Sequence, residues 1–169
     1  DLLFDGRLIA GKDFDMASYL LSPYAGLGYR TLYNDLRGLT STGNAGYRRS
    51  SRYLYLPLGL THRVQVGADA RVSTSLEYMH LLEGRQQSYL SDGNSQYNDP
   101  VNIQKTGYGI SLASSYETGR WSWGAFFNFW SIQDSDHSVQ TLAGVPSGTV
   151  FEPKNTTTEL GAHLKYRFN

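Results

Sequence analysis

Between Thr158 and Phe168 the chain alternates with a strict period of two. Leu160, Ala162, Leu164, Tyr166 and Phe168 are apolar, while Glu159, Gly161, His163, Lys165 and Arg167 are polar or glycine. Successive side chains of a strand leave opposite faces, so the segment reads as a two-faced strand, one face suited to hydrocarbon and the other to water. A helix over the same residues would scatter the five apolar side chains around its circumference. The alternation does not by itself choose what covers the apolar face, which in a soluble sandwich would be a protein core.

The same period recurs along the chain. Strands are expected at Leu2–Lys12, with Ile9 as a misfit on the polar face, and at Ser22–Asn34, Arg52–Leu60 and Asp69–Leu82. Three more follow at Gly107–Tyr116, Trp121–Ile132 and Thr158–Phe168, making seven. Pro57 removes a backbone donor and points to an irregular place in its ladder. The 13 tyrosines and 18 glycines against 2 methionines fit strands and tight turns. No apolar run approaches the roughly 20 residues of a membrane-spanning helix, and a strand that turns every second residue to a polar interior lowers mean hydropathy without arguing against a membrane.

The connections are sorted by length. Asp13–Leu21, Thr61–Ala68 and Glu117–Arg120 are short, whereas Asp35–Ser50, Glu83–Thr106 and Gln133–Asn155 are long and rich in Gly, Ser, Asn and Asp. Short and long alternate without exception, as in transmembrane barrels with short periplasmic turns and long extracellular loops. The expected fold is a single all-β domain over residues 1–169, an antiparallel transmembrane β-barrel of about eight strands. Tyr116, Trp121, Trp123, Tyr166 and Phe168 would lie near the short-turn end, where aromatic rings sit at headgroup level.

Two sets of residues carry a resemblance. The ending Glu159, Gly161, Leu164, Tyr166, Phe168 resembles the final strand by which outer-membrane barrels are read by their assembly machinery, although Asn169 follows the aromatic here. The segments Ser22–Arg30 (SPYAGLGYR), Tyr53–Pro57 (YLYLP) and Glu152–Thr156 (EPKNT) look like those of uncharacterised small Gram-negative outer-membrane barrel proteins, and more broadly of opacity-protein-like barrels. The resemblance implies a bacterial outer-membrane location, Gly161, Leu164, Tyr166 and Phe168 as the assembly signal, and contact with the lipid bilayer, lipopolysaccharide and the barrel-assembly machinery. It implies no activity. A non-enzymatic surface, structural or adhesion-type role is expected; the rival readings are an enzyme acting on lipid A or phospholipid, a small pore, and a soluble lipocalin-like barrel.

Charge narrows the chemistry. Fifteen basic and 15 acidic residues give no net charge on which to argue for nucleic acid, and the absence of cysteine removes thiol chemistry. The inward-facing set is Asp5, Arg7, Arg30, Arg71, Glu77, Glu159, His163, Lys165 and Arg167, which could line a pore or pair into a plug. Pairing of Arg7, Arg30 or Arg71 with Glu77 or Glu159 is expected. His80 on an outward face lacks the nucleophile and orienting carboxylate of a triad, and His62, His137 and His163 read as solvated or hydrogen-bonding groups. Asp134, Asp136 and His137, like Asp92 and Asp99, do not have calcium-loop spacing, so no metal or cofactor is expected. Arg48, Arg49 and Arg52 could meet lipopolysaccharide phosphates.

Seven strands conflict with the even number of single-chain bacterial barrels, whose two termini share the periplasmic side. At least one further strand upstream of Asp1 is therefore expected, with residues 1–169 forming the carboxy-terminal part of the barrel. The segment Asp1–Phe14 does not have the basic start and apolar centre of a signal peptide.

Overall fold

The computed structural model describes residues 1–39 and 41–168, and over these the chain is all-β apart from one 3-10 turn at Leu90–Asp92. Thr40, inside the expected Asp35–Ser50 loop, and Asn169, after the terminal aromatic, lie outside the described residues. In chain order the strands are β1 (Leu2–Gly11), β2 (Phe14–Asp15), β3 (Tyr19–Leu39), β4 (Ala45–Gln65), β5 (Ala70–Tyr89) and β6 (Val101–Gln104). They continue with β7 (Gly107–Thr118), β8 (Trp121–Ile132), β9 (Ser138–Leu142), β10 (Val145–Val150) and β11 (Asn155–Tyr166). One antiparallel sheet runs β1-β3-β4-β5-β7-β8-β11, with β2 beside β3 and β6 beside β5, while β9 and β10 form a separate hairpin.

The seven expected strands are the seven of this path. At the short-turn end, Gly67 and Gly119 hold φ of +78° and +54° in the β4–β5 and β7–β8 turns, a conformation glycine adopts without steric cost. At the opposite end the expected long loops are corrected. β3 and β4 reach Leu39 and Ala45, β5 continues to Tyr89 and recruits β6, and the third connection contains the β9–β10 hairpin. Alternation fades there because both sides of the ladder face polar surroundings, so backbone pairing persists without an apolar stripe to announce it.

Register fixes which side chains share a face. Leu54, Leu56, Leu58 and Leu60 of β4 face outward, and the Tyr55 and Pro57 between them are buried on the inner face. The same parity places Ile110 and Leu112 of β7, and Trp121, Trp123 and Phe127 of β8, outside. In β5 the outward set is Leu76, Tyr78, His80 and Leu82, after which the phase changes. Leu54 pairs with Glu83 and Tyr55 with Leu81, so Leu82 is an extra residue, a β-bulge that keeps Gly84 and Gln86 inside.

The inner face is built from large side chains laid over glycines of the neighbouring strand. Tyr55 covers Gly28, Tyr24 covers Gly59, Phe126 covers Gly161, and Trp130 and Met79 cover Gly109. Ile9, out of phase by its polarity, also faces inward, where Gly26 makes room for it. A Cβ at Gly28, Gly59 or Gly161 would overlap the ring above it, so these glycines are required by close approach.

Tyr55, Met79, Leu81, Trp130 and Ile132 form the compact buried apolar cluster. The larger apolar surface faces away from it: Leu8 and Leu160 are each 81% exposed, and Phe168 83%. The sheet curls, since inner side chains of β1 reach β5 and those of β3 reach β11. It does not close by hydrogen bonding. β1 and β11 end the path, and among the described residues neither edge pairs with the other.

Candidate functional site

The concave face of the curled sheet collects the charged residues into a ladder. At mid-height, Nη1 of Arg7 on β1 donates to both carboxylate oxygens of Glu77 on β5, at 2.6 and 2.8 Å, and Glu77 is only 3% exposed. Beside them Arg30 of β3 donates to Glu159 of β11 at 2.7 Å and lies 3.7 Å from Asp5. Asp5 also accepts from the Tyr55 hydroxyl at 2.7 Å, and Asn128 donates to the second Glu159 oxygen at 3.2 Å. A buried carboxylate is costly unless it is paired and hydrogen-bonded, and here Glu77 and Glu159 meet both conditions.

The ladder divides the interior. A lower cavity of about 420 Å³ includes Arg7, Asp13, Tyr24, Arg63 and Glu77 in its lining; a middle one of about 250 Å³ shares Arg7 and Glu77 with it. An upper cavity of about 230 Å³ shares Arg30 and Trp130 with the middle one and is bordered by Tyr53, Arg49 and Glu152. Side chains therefore stand between successive spaces. Below, Arg63 donates to Ser22 at 2.6 Å, Ser22 donates to Asp13, and Arg71 pairs with Glu117 at 2.6 Å. Arg167 borders the space beside Arg71 and Glu117. His163 faces inward over Gly124, and Lys165 pairs in register with Ser122 on exposed β11.

At the long-connection end Arg48 donates to both oxygens of Asp92 at 2.7 Å and stacks over Tyr89 at 4.9 Å, and Arg49 pairs with Glu152. Hydrogen bonding to Arg48 holds the Asp92 carboxyl below the usual carboxylate range, and Arg37 lowers Asp35 to about 2 by the same cause. Asn102, 4% exposed, donates to the carbonyls of Asp136 and Val150 and to Ser138 Oγ, tying β6 to the β9–β10 hairpin. Asp134 and Asp136 accept from the amides of Lys154 and Ile103, His137 stacks on Phe151, and Asp99 accepts from Ser91. Among the described residues no three metal-ligating side chains converge.

The outward aromatics fall into two groups. Tyr116 contacts Trp123, Trp121 contacts Tyr166, and Tyr166 contacts Phe168, with centroids 4.8–5.2 Å apart, at the short-turn end. Tyr78, His80, Tyr108 and Phe129 form a second row nearer the long connections. His80 has Tyr78 as its hydrogen-bond partner at 3.5 Å. Leu164 lies on the outer face of β11, and Gly161 on its inner face beneath Phe126.

Of the three arginines expected to meet phosphate, the structure occupies Arg48 and Arg49 with internal carboxylates and leaves Arg52 exposed on the outer face. Sequence reasoning missed Asp13, Arg63, Glu117 and Glu152 as ion-pair partners, and also Asn128, because each lies in a turn or long connection or is uncharged. The tyrosine at position 55 could have been found by its inward parity. Comparison with known protein families and with curated proteins finds no match to this chain.

Proposed function

We propose that this chain forms a transmembrane antiparallel β-barrel of the bacterial outer membrane and serves as a non-enzymatic surface or structural protein with a side-chain-filled interior. The observation that carries the reading is the shape of the outward apolar band. Along outward side chains in unbroken register, its upper limit falls at Tyr33 on β3, Leu54 on β4, Tyr108 on β7 and Phe129 on β8, with Leu36 and Leu39 lying beyond the register shift after Asp35. Phe129 stands in one hydrogen-bonded row with Ile110, Tyr78 and Leu58, whereas Tyr33 stands opposite Ser50, so the limit slants across the rows. Tilted strands crossing a flat slab require that slant, and a soluble core does not.

The band has the right height. From Trp121 to Phe129 is eight residue steps of β8, about 26 Å along the strand and about 20 Å of depth at a tilt of about 40°, to which the rings at either edge add. The two aromatic groups lie at its edges, where amphipathic rings favour the headgroups. β1 and β11 both run from the long-connection end to the short-turn end, so an antiparallel cylinder closes through a further strand between them, and each amide left unsatisfied in lipid would cost several kcal/mol. The extended end of β3–β6 with the β9–β10 hairpin is the part presented outward for contact, and the terminal Gly161, Leu164, Tyr166, Phe168 pattern is the assembly signal.

The test is recovery from a membrane. The chain, expressed as it occurs in cells, is expected in the outer-membrane fraction, to refold in detergent micelles, and to migrate differently on gels when unheated. A folded monomer in detergent-free buffer would overturn the reading. Planar-bilayer recording is expected to show no steady large conductance, because paired side chains separate the interior spaces; a stable open channel would reject the filled interior.

A further inference from the structure

We infer that Arg52 and Arg85 form a clamp for the phosphate headgroup of a phosphorylated membrane glycolipid of the lipid A type, at the outer edge of the apolar band. The inference rests on the membrane reading above. Arg52 of β4 and Arg85 of β5 are direct partners in the antiparallel register, and both are exposed. Their inward neighbours Ser51 and Gln86 hydrogen-bond to each other inside, which fixes both arginines on the outer face. Like charges placed directly opposite across two strands are destabilising, so the pairing has a cost within the protein alone.

Among the described residues no ion pair offsets that cost. Arg7, Arg30, Arg48, Arg49 and Arg71 each face a carboxylate, but among the described residues neither Arg52 nor Arg85 forms an ion pair or a side-chain hydrogen bond. Glu83, one row nearer the band, stands opposite Leu54 and joins no ion pair either, so the site keeps a net positive charge. Arg52 is the next outward residue beyond Leu54, where the apolar run on β4 ends, which is headgroup level. Two guanidinium forks facing one another present planar donors to phosphate oxygens, and the phosphate removes their repulsion. The lipid's acyl chains then run down the Leu54–Leu60 face beside Tyr78.

The experiment uses the protein refolded in micelles and in phosphatidylcholine vesicles, with diphosphorylated lipid A and its dephosphorylated form as probes. Native mass spectrometry is expected to show retained lipid A on the unaltered protein, and at least about tenfold weaker retention for R52Q/R85Q or for the dephosphorylated lipid. R37Q, which changes an arginine of the outer extension, is expected to retain the lipid. R85E would place opposite charges across the register, so it is expected to abolish retention while raising the unfolding midpoint, an outcome that misfolding cannot give. Equal retention by R52Q/R85Q, or complete displacement of the lipid by inorganic phosphate, would overturn the lipid clamp. Failure of the unaltered protein to enter vesicles would instead overturn the membrane reading and the clamp with it, whereas insertion without retention overturns the clamp alone.

Discussion

At the level of single residues, the inner face depends on matched pairs whose members are far apart in sequence. Glu77 is buried and Arg7 is half exposed, so the two are not equivalent. Arg7→Ala strands a buried carboxylate and is expected to cost about 3 kcal/mol, whereas adding Glu77→Ala to it should recover part of that loss. Urea unfolding from lipid vesicles measures both, and strict additivity of the two substitutions would show that the pair carries no coupling. Gly28→Ala places a methyl group into the Tyr55 ring, which pushes Tyr55 away from Asp5. It is expected to destabilise by about 1–3 kcal/mol, and Gly148→Ala, with open space around it, by far less.

The Arg48–Asp92 contact sets a pH response. Its carboxyl is lowered in the folded chain, so the contribution is fully present above the ordinary aspartate value of about 3.9 and is lost as pH falls through the lower folded value. Protection from hydrogen exchange at Gly93 and Asn94, whose amides bond to Leu90, is expected to hold down to about pH 4 and to fall below it, once the intrinsic pH dependence of exchange is divided out. A loss of protection beginning near pH 6 would point to another group.

At the level of elements, what the sequence makes legible follows from what alternation can encode. Trp121–Ile132 is bounded correctly because its outward aromatics alternate with Ser122, Gly124 and Asn128 as far as Phe129. The outer halves of β3, β4 and β5 are not legible, because their order comes from backbone ladders and from pairs such as Arg49 with Glu152, 103 positions apart. Ile9, placed by parity on the polar face despite its apolar side chain, does face inward, and the room for it comes from a glycine on another strand that parity does not reveal. The interior arginines and carboxylates could be assigned to a face from parity, but Arg71 meets Glu117 because of a register that no spacing within β5 reveals. The Leu82 bulge tests the same point. Deleting Leu82 makes Leu81 and Glu83 consecutive on opposite faces and leaves Gly84 and Gln86 inside and Arg85 outside, so the heat-stable folded band is expected to persist. Loss of that band would show that the outer part of β5 depends on the bulge itself and not on its phase alone.

At the level of the whole molecule, the two ends of the sheet are chemically unlike. One end has tight turns at Gly67 and Gly119; the other extends into paired strands, a separate hairpin and the ion pairs of Arg37, Arg48 and Arg49. That difference acts on rates. Carrying the extended end through hydrocarbon costs several kcal/mol for each charged residue, so it forms a high barrier to passage in either direction without altering the depth of the inserted state. Unassisted insertion into preformed vesicles is therefore expected to be slow, and replacing residues 36–47 by a two-residue turn should accelerate it while leaving the equilibrium urea midpoint nearly unchanged. In the proposed bilayer setting the same barrier holds the inserted chain in place: departure requires unfolding, and residence there becomes a matter of kinetics.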